Sequence, residues 1–144
     1  MTAFLLDVNV LIALLDPAHV HHIDSHNWFS SSGRNAWATC PLIENSVLRI
    51  LGDQRYPNSP GNPATVAEIL AEFFALPGHV FWPDDISILD RAKLIPSRLL
   101  SSSQVTDSYL LALARTHGGQ LATLDRRLIT DAVKTGPEAL HLIV

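Results

Sequence analysis

The chain has 144 residues, 47% of them apolar and 17% charged, enough to bury one core and too hydrophobic for a disordered segment. Its one cysteine, Cys40, excludes an internal disulfide framework and fits a reducing cytoplasm. No charged leader precedes an apolar stretch, no apolar run nears the roughly 20 residues of a membrane span, and a formal charge of −4 argues against a broad nucleic-acid-binding surface.

Residues 3–6 read as a short buried strand. Val10 to Leu15 continue as a helix, stopped at Asp16-Pro17 because proline cannot donate inside a helix. A second helical stretch covers 20–30, with Val20, Ile23, Trp28 and Phe29 as its apolar positions, and Gly33 breaks it. Ala36 to Thr39 form a strand, after which Leu42, Ile43, Val47, Leu48 and Leu51 recur near the helical period. "RYPNSPGNP" (55–63) is a loop too short to separate domains. Residues 64–76 form an amphipathic helix with Val66, Ile69, Leu70, Phe73 and Phe74 on one side. "HVFW" (79–82) is a strand ended by Pro83, and 86–95 and 107–117 are helices, the second stopping at Gly118-Gly119. "QLATL" (120–124) and "LHLIV" (140–144) are the last strands. The alternation predicts a single α/β domain over 1–144, with a mainly parallel sheet of about five short strands covered on both faces.

Reactive groups in such sheets gather beyond the carboxyl ends of the strands. Asp7 stands there in the apolar run "FLLDVNVLIALLD", where an ionised carboxylate is costly to bury alone. Asp125 ends "QLATL" in the same way, Asp107 opens the helix "TDSYLLALA", and Glu44 lies in the first turn of "LIENSVL", turned inward between Ile43 and Val47. Four carboxylates cannot share one pocket unneutralised. A hard divalent cation, Mg²⁺ or Mn²⁺, is the economical partner, since it takes oxygen ligands. The plainer alternative for each acid taken singly is a helix cap or a solvated loop residue, Asp107 as an N-cap above all.

A rival metal site lies in "HVHHIDSH", which puts His19, His21, His22 and His26 within eight residues, with His22 and His26 one helical turn apart at a spacing that could hold zinc. No cysteine pair or further fixed ligand accompanies them, which favours a solvated or partner-facing surface. Trp28, Trp37 and Trp82 read as core or interface residues, and Cys40 as a small buried hydrophobe.

"LLDVNVLIALLD", "PLIENSVLRIL" and "VTDSYLLALARTHGGQLATLDRRL" resemble, in this order, the acidic blocks of PIN-domain ribonucleases, and among these the VapC-type toxins of bacterial toxin–antitoxin pairs. The resemblance covers nearly the whole chain. It implies an α/β/α sandwich that cuts RNA with Mg²⁺ or Mn²⁺, with Asp7, Glu44, Asp107 and Asp125 as metal-site acids. It also implies that Asn9 and Thr123 support the site. Many relatives carry a further acid two residues past the position of Asp125; here that residue is Arg127.

The implied chemistry is metal-assisted phosphodiester hydrolysis, with Asp7, Asp107 and Asp125 as ligands and Glu44 as a ligand or water-orienting base. The four acids account for the whole formal charge of −4, and arginines supply eight of the ten basic residues. Arg126 and Arg127, next to Asp125, are candidates for phosphate contacts. A haloacid-dehalogenase-like phosphatase would need an acid where Asn9 stands, and a receiver domain a late lysine that neither Lys93 nor Lys134 supplies. A non-catalytic binding module on the same fold remains the third class. The resemblance further implies a homodimer and a cognate antitoxin, with higher assembly of the two. Trp28 and Phe29, and Phe73 and Phe74, are the expected partner surfaces.

Overall fold

A computed structural model describes residues 2–144. Its five strands are β1 (Phe4–Leu6), β2 (Trp37–Thr39), β3 (His79–Phe81), β4 (Gln120–Thr123) and β5 (Leu140–Leu142). All pair in parallel, in the order β3-β2-β1-β4-β5. Leu5 of β1 faces Ala38 on one side and Leu121 on the other. The central strands are therefore closed to water, and Leu5, Leu6, Trp37, Ala38, Leu121 and Ala122 are wholly buried. Each large apolar side chain buried in this way contributes about 2 kcal/mol.

The helices are α1 (Val8–Leu15), α2 (His22–Ser31), α3 (Pro41–Leu51), α4 (Pro63–Phe74) and α5 (Val105–Thr116). The chain runs outward from β1 through β2 to β3, then crosses back to β4 on the other side of β1. With right-handed crossovers, α1 to α4 pack together on one face and α5 covers the other. The direction of travel reverses between β1 and β4, which opens a crevice at their carboxyl ends.

The expected helix over 86–95 is absent. Ser87 Oγ accepts the Leu89 amide at 3.1 Å and Asp90 Oδ1 accepts the Ala92 amide at 2.9 Å. Such local side-chain bonds give the backbone an alternative to a helix. Leu94 instead bridges antiparallel to Val133, and Ile95 N–H donates to Ala132 O at 2.7 Å.

Two expectations about the aromatics also change. Phe29 is buried, and with Phe73 and Phe74 it packs around the fully buried Trp37. Trp28 is half-buried and its indole N–H donates to His141 Nε2 at 2.9 Å. Phe29 is thus a core residue, while Trp28, Phe73 and Phe74 are half-buried and pack one side of their rings against that core. The large apolar side chains left most open are Val20, Leu100, Leu89 and Ile23.

His22 and His26 are occupied structurally. The His22 Nδ1–H donates to Ala13 O at 2.7 Å and the His26 Nε2–H to Leu14 O at 3.0 Å. They satisfy two of the carbonyls that the C-terminal turn of α1 leaves unpaired, a structural role that needs no metal, and among the described residues no third histidine, cysteine or acid groups with them as a zinc site would need. The same end of α1 is tied down by the buried Asp16, which accepts the Tyr56 hydroxyl, the Asn58 amide and the Ala18 N–H.

Candidate active site

Asp7 follows β1 directly and caps α1, accepting the Val8 N–H at 2.8 Å on Oδ1. Its other oxygen accepts the Thr123 hydroxyl at 2.7 Å. Asp7 is 6% exposed. Burial is the largest influence on it and raises its carboxyl above the ordinary range; the two hydrogen bonds oppose this, and the Asp125 charge adds to it.

Thr123, at the end of β4, is the hub that joins the two sides of the crevice. Its hydroxyl oxygen accepts the Asp125 N–H at 3.1 Å and lies 3.4 Å from Asn9 Nδ2, while Asn9 Oδ1 lies 3.4 Å from the Leu124 N–H. Asn9 and Thr123 thus lock the turn after β1 to the turn after β4. Asp125 Oδ1 in turn accepts the Arg127 N–H at 2.9 Å, so this aspartate is held by its own turn.

Asp107 sits in the first turn of α5, which begins at Val105 with Gln104 before it, so Asp107 is not an N-cap. It is half-buried, and its carboxyl is pushed up to about 6 by burial first and then by the charges of Asp7 and Asp125. Asp7, Asp107 and Asp125 therefore repel one another across the crevice.

Glu44 stands apart from that trio. It is half-buried in the first turn of α3, and its carboxyl is raised by burial and then by Asp84. Asp84 was not singled out in the sequence, although "WPDD" puts it just past a strand end, where Asp7 and Asp125 also stand. Cys40 is buried and its thiol is pushed up to about 12, chiefly by desolvation, which leaves it inert at neutral pH. Arg126 and Arg127 are exposed beside the site, and Arg126 Nε donates to Val144 O at 2.9 Å.

The ion pairs among the described residues are His21–Asp24, Arg55–Asp53 and His117–Asp85, none of them in the crevice. The three aspartates are hard oxygen donors without a protein cation, the donor set a Mg²⁺ or Mn²⁺ ion takes. Among the described residues no three acidic, histidine or cysteine side chains are already grouped about one point. The charge and donor chemistry fit such an ion, and side-chain closure would have to complete the ligand shell.

A five-stranded parallel sheet between helical layers, with aspartates facing one another at its topological switch point, defines an acidic-crevice α/β/α domain. The PIN-domain sequence family matches residues 4–133. The chain is 43% identical over 138 residues to Ribonuclease VapC44 of Mycobacterium tuberculosis, covering 96% of each chain. It is 41% identical over 132 residues to Ribonuclease VapC39 of the same species, covering 92% of this chain and 94% of that one. This chain belongs to the PIN-domain family, alongside the VapC proteins. The FitAcB structure from Neisseria gonorrhoeae shares the fold, with a TM-score of 0.66 at 18% identity over 97% of each chain.

Proposed function

We propose that this chain is a metal-dependent endoribonuclease, the growth-inhibiting toxin of a bacterial toxin–antitoxin pair, acting in the cytoplasm as one domain over residues 1–144. The observation that carries this reading is the mutually repelling set Asp7, Asp107 and Asp125, without a protein cation, at the switch point of the sheet. Similarity to proteins named Ribonuclease VapC supports RNA as the substrate. No helix among the described residues is long and apolar enough to cross a membrane.

A bound Mg²⁺ or Mn²⁺ supplies Lewis acidity and a water of lowered pKa for phosphodiester hydrolysis. The chain's residues prepare the rest. Thr123 and the Val8 amide fix both oxygens of Asp7, so that this ligand needs little reorganisation. The Arg127 amide orients Asp125. Asp107 would complete the ligand set from α5. Glu44, whose carboxyl is raised by burial and by Asp84, would serve as a ligand to the cation or as a base orienting the water. The guanidinium groups of Arg126 and Arg127 face solvent next to Asp125 and suit bidentate phosphate contacts. Arg127, where the family resemblance implies a further acid, would weaken a second metal position or shift the substrate preference.

The partners implied are a second copy of the chain and an antitoxin that covers the crevice, with higher assembly of both. An antitoxin arginine among the aspartates would replace the cation's charge, so antitoxin binding should weaken metal affinity.

The test is RNA cleavage by purified protein with Mg²⁺ or Mn²⁺ against chelator, in the parent and in Asp7→Asn. Cleavage that needs metal and is lost in Asp7→Asn is the expected result. Cleavage unchanged in Asp7→Asn would remove the acidic site, and no cleavage of any RNA by the parent would favour a non-catalytic binding module.

A further inference from the structure

Helix α3 begins without a cap of its own. Cys40 precedes it with no side-chain capping bond, and Pro41, at its first position, has no N–H to offer. The next amide, Leu42 N–H, donates to a side chain from elsewhere, Asp84 Oδ2, 3.1 Å away in the segment after β3. The other oxygen of the same carboxylate, Oδ1, accepts the Tyr109 hydroxyl of α5 at 2.9 Å. One carboxylate thus joins the first turn of α3, which carries Glu44, to the beginning of α5, which carries Asp107.

This link is kept against an electrostatic cost. Asp84 adds its charge to the burial that holds Glu44 up, and no ion pair among the described residues neutralises it. A serine or asparagine at position 40 would cap α3 with no charge next to Glu44. What Asp84 adds is the connection to α5. The two helices lie on opposite faces of the sheet, and they are the elements that carry the two acids not anchored by Thr123 or by the turn after β4.

We propose that Asp84 is a positioning residue of the acidic site, fixing Glu44 on α3 relative to Asp107 on α5 through Leu42 and Tyr109 so that both helices serve one divalent cation. The inference rests on the acidic-site reading above.

The experiment measures Mn²⁺ binding to the purified full chain by calorimetry, together with hydrogen exchange at the Leu42 amide. Asp84→Ala is expected to weaken Mn²⁺ binding several-fold, because Glu44 loses its fixed place relative to Asp107, and to deprotect Leu42, whose capping partner is gone. Asp84→Asn should restore most of both, since its amide oxygen accepts from Leu42 and its NH₂ donates to the Tyr109 oxygen. In a Glu44→Gln chain, Asp84→Ala should add less than about two-fold, because the two act as one unit. Tyr109→Phe cuts only the link to α5 and serves if Asp84→Ala does not fold; it should weaken Mn²⁺ binding while Leu42 stays protected. Equal losses with and without Glu44→Gln would overturn the proposal, as would unchanged Mn²⁺ affinity in Asp84→Ala or in Tyr109→Phe. A parent that binds no Mn²⁺ would instead overturn the acidic-site reading and this inference with it.

Discussion

Asp107→Asn separates the electrostatic cost of the site from its use. The Asp107 carboxyl rises from 3.8 to about 6, through burial and then through Asp7 and Asp125. The folded chain therefore binds this proton more tightly than the unfolded chain. The associated stability is fully present below the unfolded value and is lost as pH rises through about 6. A rise of roughly two units is worth ~3 kcal/mol. Solvent screening of a half-buried side chain reduces this to about 1–1.5 kcal/mol. Asparagine cannot ionise and escapes the loss. Thermal melts in chelator should place Asp107→Asn about 3–5 °C above the parent near neutral pH, with the gap closing below about pH 4. Millimolar Mg²⁺ or Mn²⁺ should then reverse the order, because the parent gains stability by mass action and the variant has lost a ligand. A variant less stable than the parent at neutral pH without metal would refute the reasoning, and so would a gap that does not change with pH.

Thr123→Val keeps the shape of the β4 end but leaves Asp7 Oδ2 and the Asp125 N–H without their partner. We expect a loss of about 1–3 kcal/mol in denaturant titrations and weaker metal binding in calorimetry. His22→Ala and His26→Ala should each destabilise the fold by about 1 kcal/mol through uncapped α1 carbonyls, with metal-dependent cleavage retained; loss of zinc from the parent on chelation would contradict this. Asp16→Ala strands the Tyr56 hydroxyl and the Asn58 amide and should cost about 2 kcal/mol by chemical denaturation. Burial raises the Asp16 carboxyl, but its hydrogen bonds outweigh that and leave it below its ordinary 3.8. Its stabilisation is accordingly present above that value and lost as pH falls through its lower folded value, so the parent and Asp16→Ala should converge in strong acid. Light scattering of the free chain at micromolar concentration should give a dimer, and a monomer would reject the proposed self-association.

The sequence by itself determined the class of fold and the edge of the sheet at which Asp7, Asp107 and Asp125 come together. Strand–helix alternation is a local pattern, and parallel pairing follows from it because each crossover needs a covering helix. Asp7, Asp107 and Asp125 were legible for the same reason: each stands at a strand end or helix start beside apolar neighbours, and such ends lie at one edge of a parallel sheet. What a side chain touches is not local. Asp84 satisfies the same strand-end rule, but its bonds to Leu42 and Tyr109 span 42 and 25 residues. Segment 86–95 carries a helical apolar pattern, yet its own Ser87 and Asp90 bonds and the Leu94–Val133 bridge win over it. Trp28 and Phe29 read as equally apolar surface candidates until the packing of α2 turned one against His141 and the other against Trp37. Periodicity fixes which face of an element is apolar, whereas only the assembled layers decide what that face meets. Contacts distant along the chain choose among local alternatives that differ by no more than a hydrogen bond or two.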